Sequence, residues 1–137
     1  MTNKKKARTI ILTAAAALSL ALLRAQTSGG FHWDGPLSRV ITPNGDGLND
    51  KAFFCFDNPS VSDVSGKIYT LLGVEIASLQ PPTNATGTSC PASTSGIRPE
   101  QVSIWDPLTQ GMVHSGVYVY QVRAEGKSYS GTIVVVR

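Results

Sequence analysis

The chain has 137 residues, of which 12 are basic and 9 acidic, and its formal charge is +3 at pH 7. Five basic residues and no acidic ones precede residue 26, so residues 26–137 carry a small negative charge and give no support to nucleic-acid binding. A chain of this length forms one hydrophobic core but is too short for two.

A signal peptide is predicted at residues 1–25. Four basic residues open the chain, an apolar run follows at 9–23, and the small residue Ala25 marks the expected cleavage point. The run is shorter than the about 20 apolar residues that a membrane-spanning helix needs. We therefore expect a secreted protein, extracellular or on the outer cell surface, that meets a membrane only through its signal peptide.

Residues 26–36 are predicted to form a flexible N-terminal arm, because glycines and a proline interrupt the segment. Phe31 and Trp33 lie within it. Two large aromatic side chains in an exposed, glycine-rich segment must either fold back or contact a partner. Self-association through Phe31 and Trp33 is the hypothesis that follows.

Residues 37–137 predict an all-β domain. Short β-rich runs alternate with turn residues, which is typical of an immunoglobulin-like antiparallel β-sandwich of about seven strands. Hairpin turns are expected at Leu72-Gly73 and Glu125-Gly126, and a long surface crossover is expected at 80–99. The predicted strands are 37–41, 51–56, 66–72, 74–79, 101–105, 117–124 and 128–136.

Cys55 and Cys90 are the two cysteines of the chain. In an oxidising compartment two thiols tend to pair, which predicts a disulfide; two separate thiols are the alternative. Along 51–56, Phe53 and Cys55 share a face with Lys51, which indicates the outer face of a sheet. The disulfide is therefore expected to draw the crossover across that face and to cover Phe53.

Residues 42–50, TPNGDGLND, are the most specific segment of the sequence. One interpretation is a tight turn in which Asn and Asp side chains bond to the backbone of their own loop. The other is a calcium site of a calcium-dependent carbohydrate or protein binder, because Ca²⁺ takes oxygen ligands from flexible loops. No other cofactor is expected. The candidate calcium ligands are Asn44, Asp46, Asn49 and Asp50.

Three segments carry a family resemblance: TPNGDGLND at 42–50, GKIYTLLGVEIASL at 66–79 and SGVYVYQVRAEGKSYSGTIVVVR at 115–137. In them the chain resembles the gliding-motility-associated C-terminal domain, the type B sorting domain of type IX secretion. It is also similar to the immunoglobulin-like domain of flagellar hook-capping proteins. The resemblance implies a sandwich read by secretion machinery. Such domains follow a large passenger, whereas only residues 26–36 precede this predicted sandwich.

No catalytic constellation is recognisable in the sequence. His32 and His114 lie far apart and no GxSxG motif occurs, so we expect no enzyme. Trp105 and the alternating aromatic side chains Tyr118 and Tyr120 are expected in the core.

The predicted function is a non-catalytic cell-surface structural or attachment module. Its expected partners are proteins, either secretion or cell-surface machinery or copies of itself. The alternative is a self-assembling subunit of an extracellular filament or surface layer, a homo-oligomer in which the final strand, within 131–137, pairs edge to edge.

Overall fold

The computed structural model describes residues 30–85, 90, 101–110 and 113–137. These residues form nine strands and no helix, which confirms the predicted all-β fold. The described ranges therefore hold no helix with the length and apolar character needed to cross a membrane. The strands are β1 (His32–Pro36), β2 (Val40–Ile41), β3 (Ala52–Asp57), β4 (Val64–Thr70), β5 (Glu75–Ser78), β6 (Thr83–Asn84), β7 (Gln101–Trp105), β8 (Gly116–Ala124) and β9 (Lys127–Val135).

The strands form two sheets, one in the order β1-β3-β7-β6 and the other in the order β2-β9-β8-β4-β5. In an immunoglobulin sandwich, strands A, B, E and D form one sheet and strands C, F and G the other. Here β1, β3, β7 and β6 take the first set of places, and β4, β8 and β9 take the second. The predicted sandwich is confirmed, with nine described strands instead of about seven.

The pairing of β2 with β9 is parallel, whereas the sequence predicted a wholly antiparallel sandwich. β1 and β2 run in the same direction, because the chain crosses from one sheet to the other without reversing. β2 consists of Val40–Ile41 alone, although a strand was predicted over 37–41. The first three of those predicted residues serve as the crossing.

The core lies between the sheets and follows from side-chain alternation. In β3, Ala52, Phe54 and Phe56 point inward and are at most 1 % exposed. From the facing sheet, the Tyr120 ring meets the Phe54 ring edge-on, with centroids 5.0 Å apart. Burial of each large apolar side chain contributes roughly 1.5 to 3 kcal/mol. The predicted inner face of β3 is therefore confirmed.

Residues 32–36 belong to the sandwich, so the predicted flexible arm at 26–36 is wrong over that part. They form β1, which pairs antiparallel with β3. Gly35 has a φ of 97°, and the pairing register shifts between Trp33 and Gly35. Glycine thus accommodates a bulge here and does not end the strand. Residues 26–29 lie outside the described ranges.

Glu125, in the turn between β8 and β9, holds the start of β1. Its carboxylate accepts hydrogen bonds from the Ser62 hydroxyl at 2.8 Å and from the backbone N–H of Phe31 at 3.1 Å. These two bonds, that of Ser62 first, lower the pKa of the Glu125 carboxyl. The described chain therefore enters the sandwich at the end where β8 turns into β9, which we call the basal end.

Both predicted hairpins are present. Glu125 and Gly126 have φ values of 50° and 72°, as a two-residue type I′ turn requires. In the hairpin between β4 and β5, Gly73 has a φ of 82° and donates its N–H to the carbonyl of Thr70 at 2.9 Å. β4 therefore ends at Thr70, two residues before the predicted end at Leu72.

The predicted crossover at 80–99 contains a short strand that the sequence did not indicate. Thr83 and Asn84 form β6 and pair antiparallel with β7. Two residues are too few to show a side-chain alternation in the sequence. Apart from Cys90, the predicted crossover beyond Ala85 lies outside the described residues.

Cys55 and Cys90 form a disulfide with an Sγ–Sγ distance of 2.05 Å, as predicted. It lies on the outer face of the four-stranded sheet. Both cysteines are buried together with Val102, and the half-buried side chains of Phe53 and Ile104 pack against them. Phe53 thus packs beside the disulfide as predicted but stays half-buried, and the crossover residues on either side of Cys90 lie outside the described ranges.

The SGVY segment at 115–118 forms a tyrosine corner. The Tyr118 hydroxyl donates a hydrogen bond to the carbonyl of His114 at 2.9 Å, and the ring packs edge-on against Trp105 with centroids 5.7 Å apart. Immunoglobulin-like sandwiches have such a tyrosine near the start of the strand that corresponds to β8. Trp105 and Tyr120 are buried as expected, whereas Tyr118 is half-buried.

Replacing Cys55 and Cys90 together by alanine should lower the free energy of unfolding by about 3 to 4 kcal/mol, because the bridge closes a sequence separation of 35 residues. Urea unfolding with and without reductant measures the loss. Reductant should destabilise the wild type and leave the double variant unchanged. A loss below about 1 kcal/mol would show that the bridge contributes little.

Tyr118→Phe should lower the free energy of unfolding by about 1 kcal/mol, because it removes the corner hydrogen bond and keeps the ring. Tyr129→Phe is the matched control, since the Tyr129 hydroxyl has no hydrogen bond to the described residues. Thermal and urea unfolding of both variants make the comparison. Equal effects of the two substitutions would contradict the role of the corner.

Candidate functional site at the apical end

Several loops and the C-terminus meet at the end of the sandwich opposite the basal end. Strands β2, β4, β7 and β9 finish there, and β3, β5 and β8 begin there. We call this set the apical end. It comprises residues 42–51, 71–74, 106–110, 113–115 and 136–137.

The Asp50 side chain closes the loop at 42–50 from inside. Asp50 is buried, and its Oδ1 accepts the backbone N–H groups of Asn44 at 2.9 Å and Gly45 at 2.8 Å, while its Oδ2 accepts that of Gly47 at 2.7 Å. Gly45 and Gly47 both have a φ of 84°, a conformation that glycine adopts without a steric penalty. The two glycines therefore turn the backbone so that its N–H groups point at the carboxylate.

A second set of bonds in the same loop joins Asn44 and Asp46. The Asn44 Oδ1 accepts the N–H of Asp46 at 2.9 Å, and the Asp46 Oδ1 accepts the N–H of Leu48 at 2.7 Å. The Asn44 amide also donates to the Asp46 Oδ2 at 3.0 Å. Asn49 has a φ of 55° and accepts the Thr42 N–H at its backbone carbonyl, 2.8 Å away. The loop is thus the tight turn with Asn and Asp side chains bonded to their own backbone.

The four candidate calcium ligands are close together in sequence, but the structure uses their oxygens in different ways. Both oxygens of Asp50 face N–H donors inside the loop, and the side chains of Asn44 and Asp46 bond to each other. The described part of the chain contains no group of three or more His, Cys, Asp or Glu side chains that could hold a metal ion. Calcium binding by this loop remains a prediction.

The electrostatics of Asp50 follow from these bonds. The hydrogen bond from Gly45 is the largest influence and lowers the pKa of the Asp50 carboxyl; partial burial opposes it, and bonds from Gly47 and Asn44 add to the lowering. The positive charge of Lys51 acts in the same direction. The carboxylate therefore stays charged and keeps the loop closed to a lower pH than an ordinary aspartate would.

Side-chain contacts join the apical segments to each other. The Lys51 ammonium lies 2.9 Å from the buried carboxylate of Asp106, which also accepts the N–H of Leu108 at 3.0 Å. The Arg137 guanidinium donates to the carbonyl of Pro43 at 3.3 Å. These bonds brace the 42–51 loop from two sides.

Exposed apolar side chains concentrate at this end. Among the described residues ten large apolar side chains are exposed, and nine lie in or beside the apical end; the exception is Val61 at the basal end. The tip of the β4–β5 hairpin is the most prominent part, with Leu72 92 %, Leu71 67 % and Val74 59 % exposed. We call the nine side chains the apical patch: Leu37, Val40, Leu48, Leu71, Leu72, Val74, Leu108, Val117 and Val136.

The sequence did not single out the apical patch. It predicted a turn at Leu72-Gly73 but continued the strand through Leu71 to Leu72, where alternation gave no reason to expect both leucines to be exposed. The signal in the sequence was Gly73, since a glycine directly after two leucines places them in the turn. Concentrated exposed apolar side chains of this kind mark sites that bind proteins or other apolar surfaces.

The predicted self-association residues are not exposed. The ring of Phe31 is buried, with centroids 5.1 Å from Phe56 and 5.5 Å from Tyr129. The Trp33 ring is half-buried and stacks on Phe54 and on Tyr129 at 6.3 Å and 5.5 Å. Both side chains fold back into the sandwich, so the picture of an exposed aromatic arm is wrong.

The two histidines lie at opposite ends of the sandwich. His32 begins β1 at the basal end, opposite Asp57, with its Nε2 3.6 Å from Asp34. His114 lies before β8 at the apical end, where its carbonyl accepts the Tyr118 hydroxyl. The structure therefore does not bring the two imidazoles together.

No protein-family model, curated protein or solved structure matches the chain. The resemblance to type IX sorting domains accordingly remains a prediction from the sequence.

Asp50→Asn should destabilise the protein near neutral pH. The amide NH₂ group of asparagine would replace one carboxylate oxygen and face the backbone N–H groups that now donate hydrogen bonds to Asp50. The pKa of Asp50 is lower in the folded than in the unfolded protein, so its contribution is present above the unfolded value of about 3.9 and is lost as pH falls through the folded value. The wild type and the variant should therefore converge in stability as the pH falls below about 4. Urea unfolding from pH 7 to pH 2.5 measures this, and a constant difference would contradict it.

Proposed function

We propose that the chain is a non-catalytic, extracellular structural or attachment module that binds a protein partner through its apical end. The observation that carries the proposal is the apical patch: of the exposed large apolar side chains in the described residues, nine lie in or beside one end of the sandwich and one lies at the other. Single exposed apolar residues are ordinary, but their concentration at one end favours a binding surface.

The arrangement of polar groups supports attachment over chemistry at this end. The carboxylates of Asp50 and Asp106 are buried and bonded to backbone N–H groups or to Lys51, so they act in holding the loops. The leucines and valines of the apical patch are exposed at this end beside polar loop residues such as Asp46 and Asn49. Because the loops are held by internal hydrogen bonds and an ion pair, they need little ordering on association, which favours binding of a folded partner through exposed apolar side chains.

An extracellular location is supported by two independent features. The sequence predicts a signal peptide at 1–25, and the structure contains the disulfide between Cys55 and Cys90. Structural disulfides persist in oxidising compartments outside the cytoplasm.

The resemblance at 42–50 and 115–118 favours secretion or cell-surface machinery as the partner. Both segments lie at the apical end, where 42–50 forms the Asp50-closed loop and 115–118 forms the tyrosine corner. The loop and the tyrosine corner support the segments that carry the apical patch. On this proposal the machinery binds the apical patch, and the two motifs keep the patch in position.

A second candidate function is self-assembly into an extracellular filament or surface layer. The specific observation that favours it is the edge of β9, which β2 covers only at Val134 and Val135.

The attachment proposal predicts that Leu71→Ser with Leu72→Ser weakens recognition and leaves folding intact. A fluorescent reporter would be placed before residue 30 of the wild type and of the double variant, behind the chain's own signal peptide, in a bacterium that has type IX secretion. The reporter on intact cells and in the medium would be measured by antibody. We expect the double variant to lower the external reporter roughly tenfold or more, the effect of losing an anchoring contact.

Val61→Ser is the matched control, because Val61 is 81 % exposed and lies at the basal end. It should leave the external reporter unchanged. Equal export of all three chains, with equal melting temperatures, would overturn the apical end as the recognised surface.

A further inference from the structure

The outer edge of β9 is open over most of its length. β9 pairs with β8 along all nine of its residues, and with β2 at Val134 and Val135 only. On that side the stretch Lys127–Ile133 has no neighbouring strand among the described residues. An open edge presents unpaired backbone N–H and C=O groups to another chain.

The backbone groups that face this edge can be assigned from one hydrogen bond. The N–H of Val134 donates to the carbonyl of Arg39 in the approach to β2. Since N–H and C=O directions alternate along an antiparallel strand, Ser128, Ser130 and Thr132 also point away from β8. These three residues therefore direct their N–H and C=O groups at the open edge, and their side chains are exposed on the outer face.

The other sheet edges carry features that hinder strand addition, whereas the open stretch of β9 does not. β1 contains Pro36, and its register with β3 shifts at Gly35. β5 begins with Glu75, and its register with β4 shifts between Ile68 and Tyr69. β2 and β6 have two residues each. Bulges, prolines, charges and short length are the usual protections of an edge. Ser128–Thr132 has no proline and no charge, and its register with β8 is continuous.

We propose that this edge pairs with the same edge of a second copy of the chain, antiparallel and centred on Ser130. The open stretch runs from Lys127 to Ile133, so Ser130 is its midpoint, and full overlap of two copies places Ser130 opposite Ser130. Ser128 then faces Thr132. Each of these three opposed pairs exchanges two backbone hydrogen bonds, which gives six across the interface.

Side-chain chemistry suits this self-pairing. On the outer face the hydroxyl side chains of Ser128, Ser130 and Thr132 lie opposite one another across the interface, which favours cross-strand contact. Lys127 lies opposite Ile133, so the two lysines do not face each other. On the inner face Tyr129 lies opposite Gly131. A side chain at Gly131 would collide with the Tyr120 ring of its own chain, which already covers that glycine.

The pairing is symmetric: each copy contributes its β9 edge, so two copies leave no β9 edge free for a third. It joins two five-stranded sheets into one ten-stranded sheet and leaves the β4–β5 hairpin of the apical patch, at the opposite edge of the sheet, outside the contact. The inference thus deepens the self-assembly candidate by naming its contact, and it predicts a dimer as the unit, since an isologous contact does not extend into a filament. It does not depend on the attachment proposal.

A charge-swap experiment tests the pairing with the purified chain lacking residues 1–25. Ser130→Lys and Ser130→Glu each place like charges opposite each other in the dimer, at a position that is exposed in the monomer. Sedimentation analysis should show a dimer for the wild type, a dissociation midpoint at least about tenfold higher for each variant, and recovery of the dimer when the two variants are mixed. Ser65→Glu is the matched control, because Ser65 is exposed on the outer face of β4, opposite Arg123 and away from the edge, and it should leave the midpoint unchanged.

Cysteine cross-linking tests the register. Opposed residues in a hydrogen-bonded pair have Cα atoms about 5.5 Å apart, within the range of about 4.4 to 6.8 Å that a disulfide spans. Ser130→Cys should therefore form a disulfide-linked dimer on oxidation, and Thr132→Cys should not.

The outcomes separate the proposals. A wild type that stays monomeric at millimolar concentration, or equal cross-linking at positions 130 and 132, would overturn the dimer and leave the attachment proposal standing. A monomeric wild type that dimerises once residues 26–29 are also removed would overturn it as well, by showing that the chain covers its own edge. Unchanged export of the apical leucine variant would overturn attachment and leave the dimer standing.

Discussion

The rings of Phe54 and Phe56 fill the space between the two sheets, while Cys55 between them is tied down on the opposite side by the disulfide. β3 consequently packs against other side chains on both faces, with Phe53 half-buried on the outer one, and its antiparallel pairing sets its register with β1 on one side and with β7 on the other. The loop at 42–50 leads into β3. Ala52, the first residue of β3, pairs with Trp105, and Trp105 packs against Tyr118 of the tyrosine corner. The position of the loops therefore depends on the burial of β3.

At the apical end the same polar residues that look chemically interesting in the sequence are used for support. Asp50 gathers the N–H groups of its loop, and Asp106 binds Lys51 and the next turn. A buried carboxylate must be satisfied by donors, so Asp50 and Asp106 are engaged inside the loops, while the leucines and valines of the apical patch are exposed.

The sequence was sufficient for the long elements and for the disulfide, because their signals are local. β3, β7, β8 and β9 have clear alternation, and the glycine turns set both hairpins. β2 and β6 are two residues long and are defined only by distant partners. β1 was missed because Gly35 resembles a loop signal, whereas in the folded chain it forms a bulge. The apical patch could not be predicted either, since Leu48, Leu72 and Val136 come from distant parts of the sequence and reach one end of the sandwich only through the topology.

The anchoring of β1 by Glu125 gives the domain a direction. Gly30 and Phe31 lie at the basal end, next to the Glu125 carboxylate, whereas Leu71 and Leu72 lie at the tip of the β4–β5 hairpin at the apical end. The nine residues of β8 set the separation, about 30 Å at the usual rise of a strand. On the proposed attachment function, a group linked ahead of residue 30 would therefore be kept about the length of β8 away from a partner bound at the apical end.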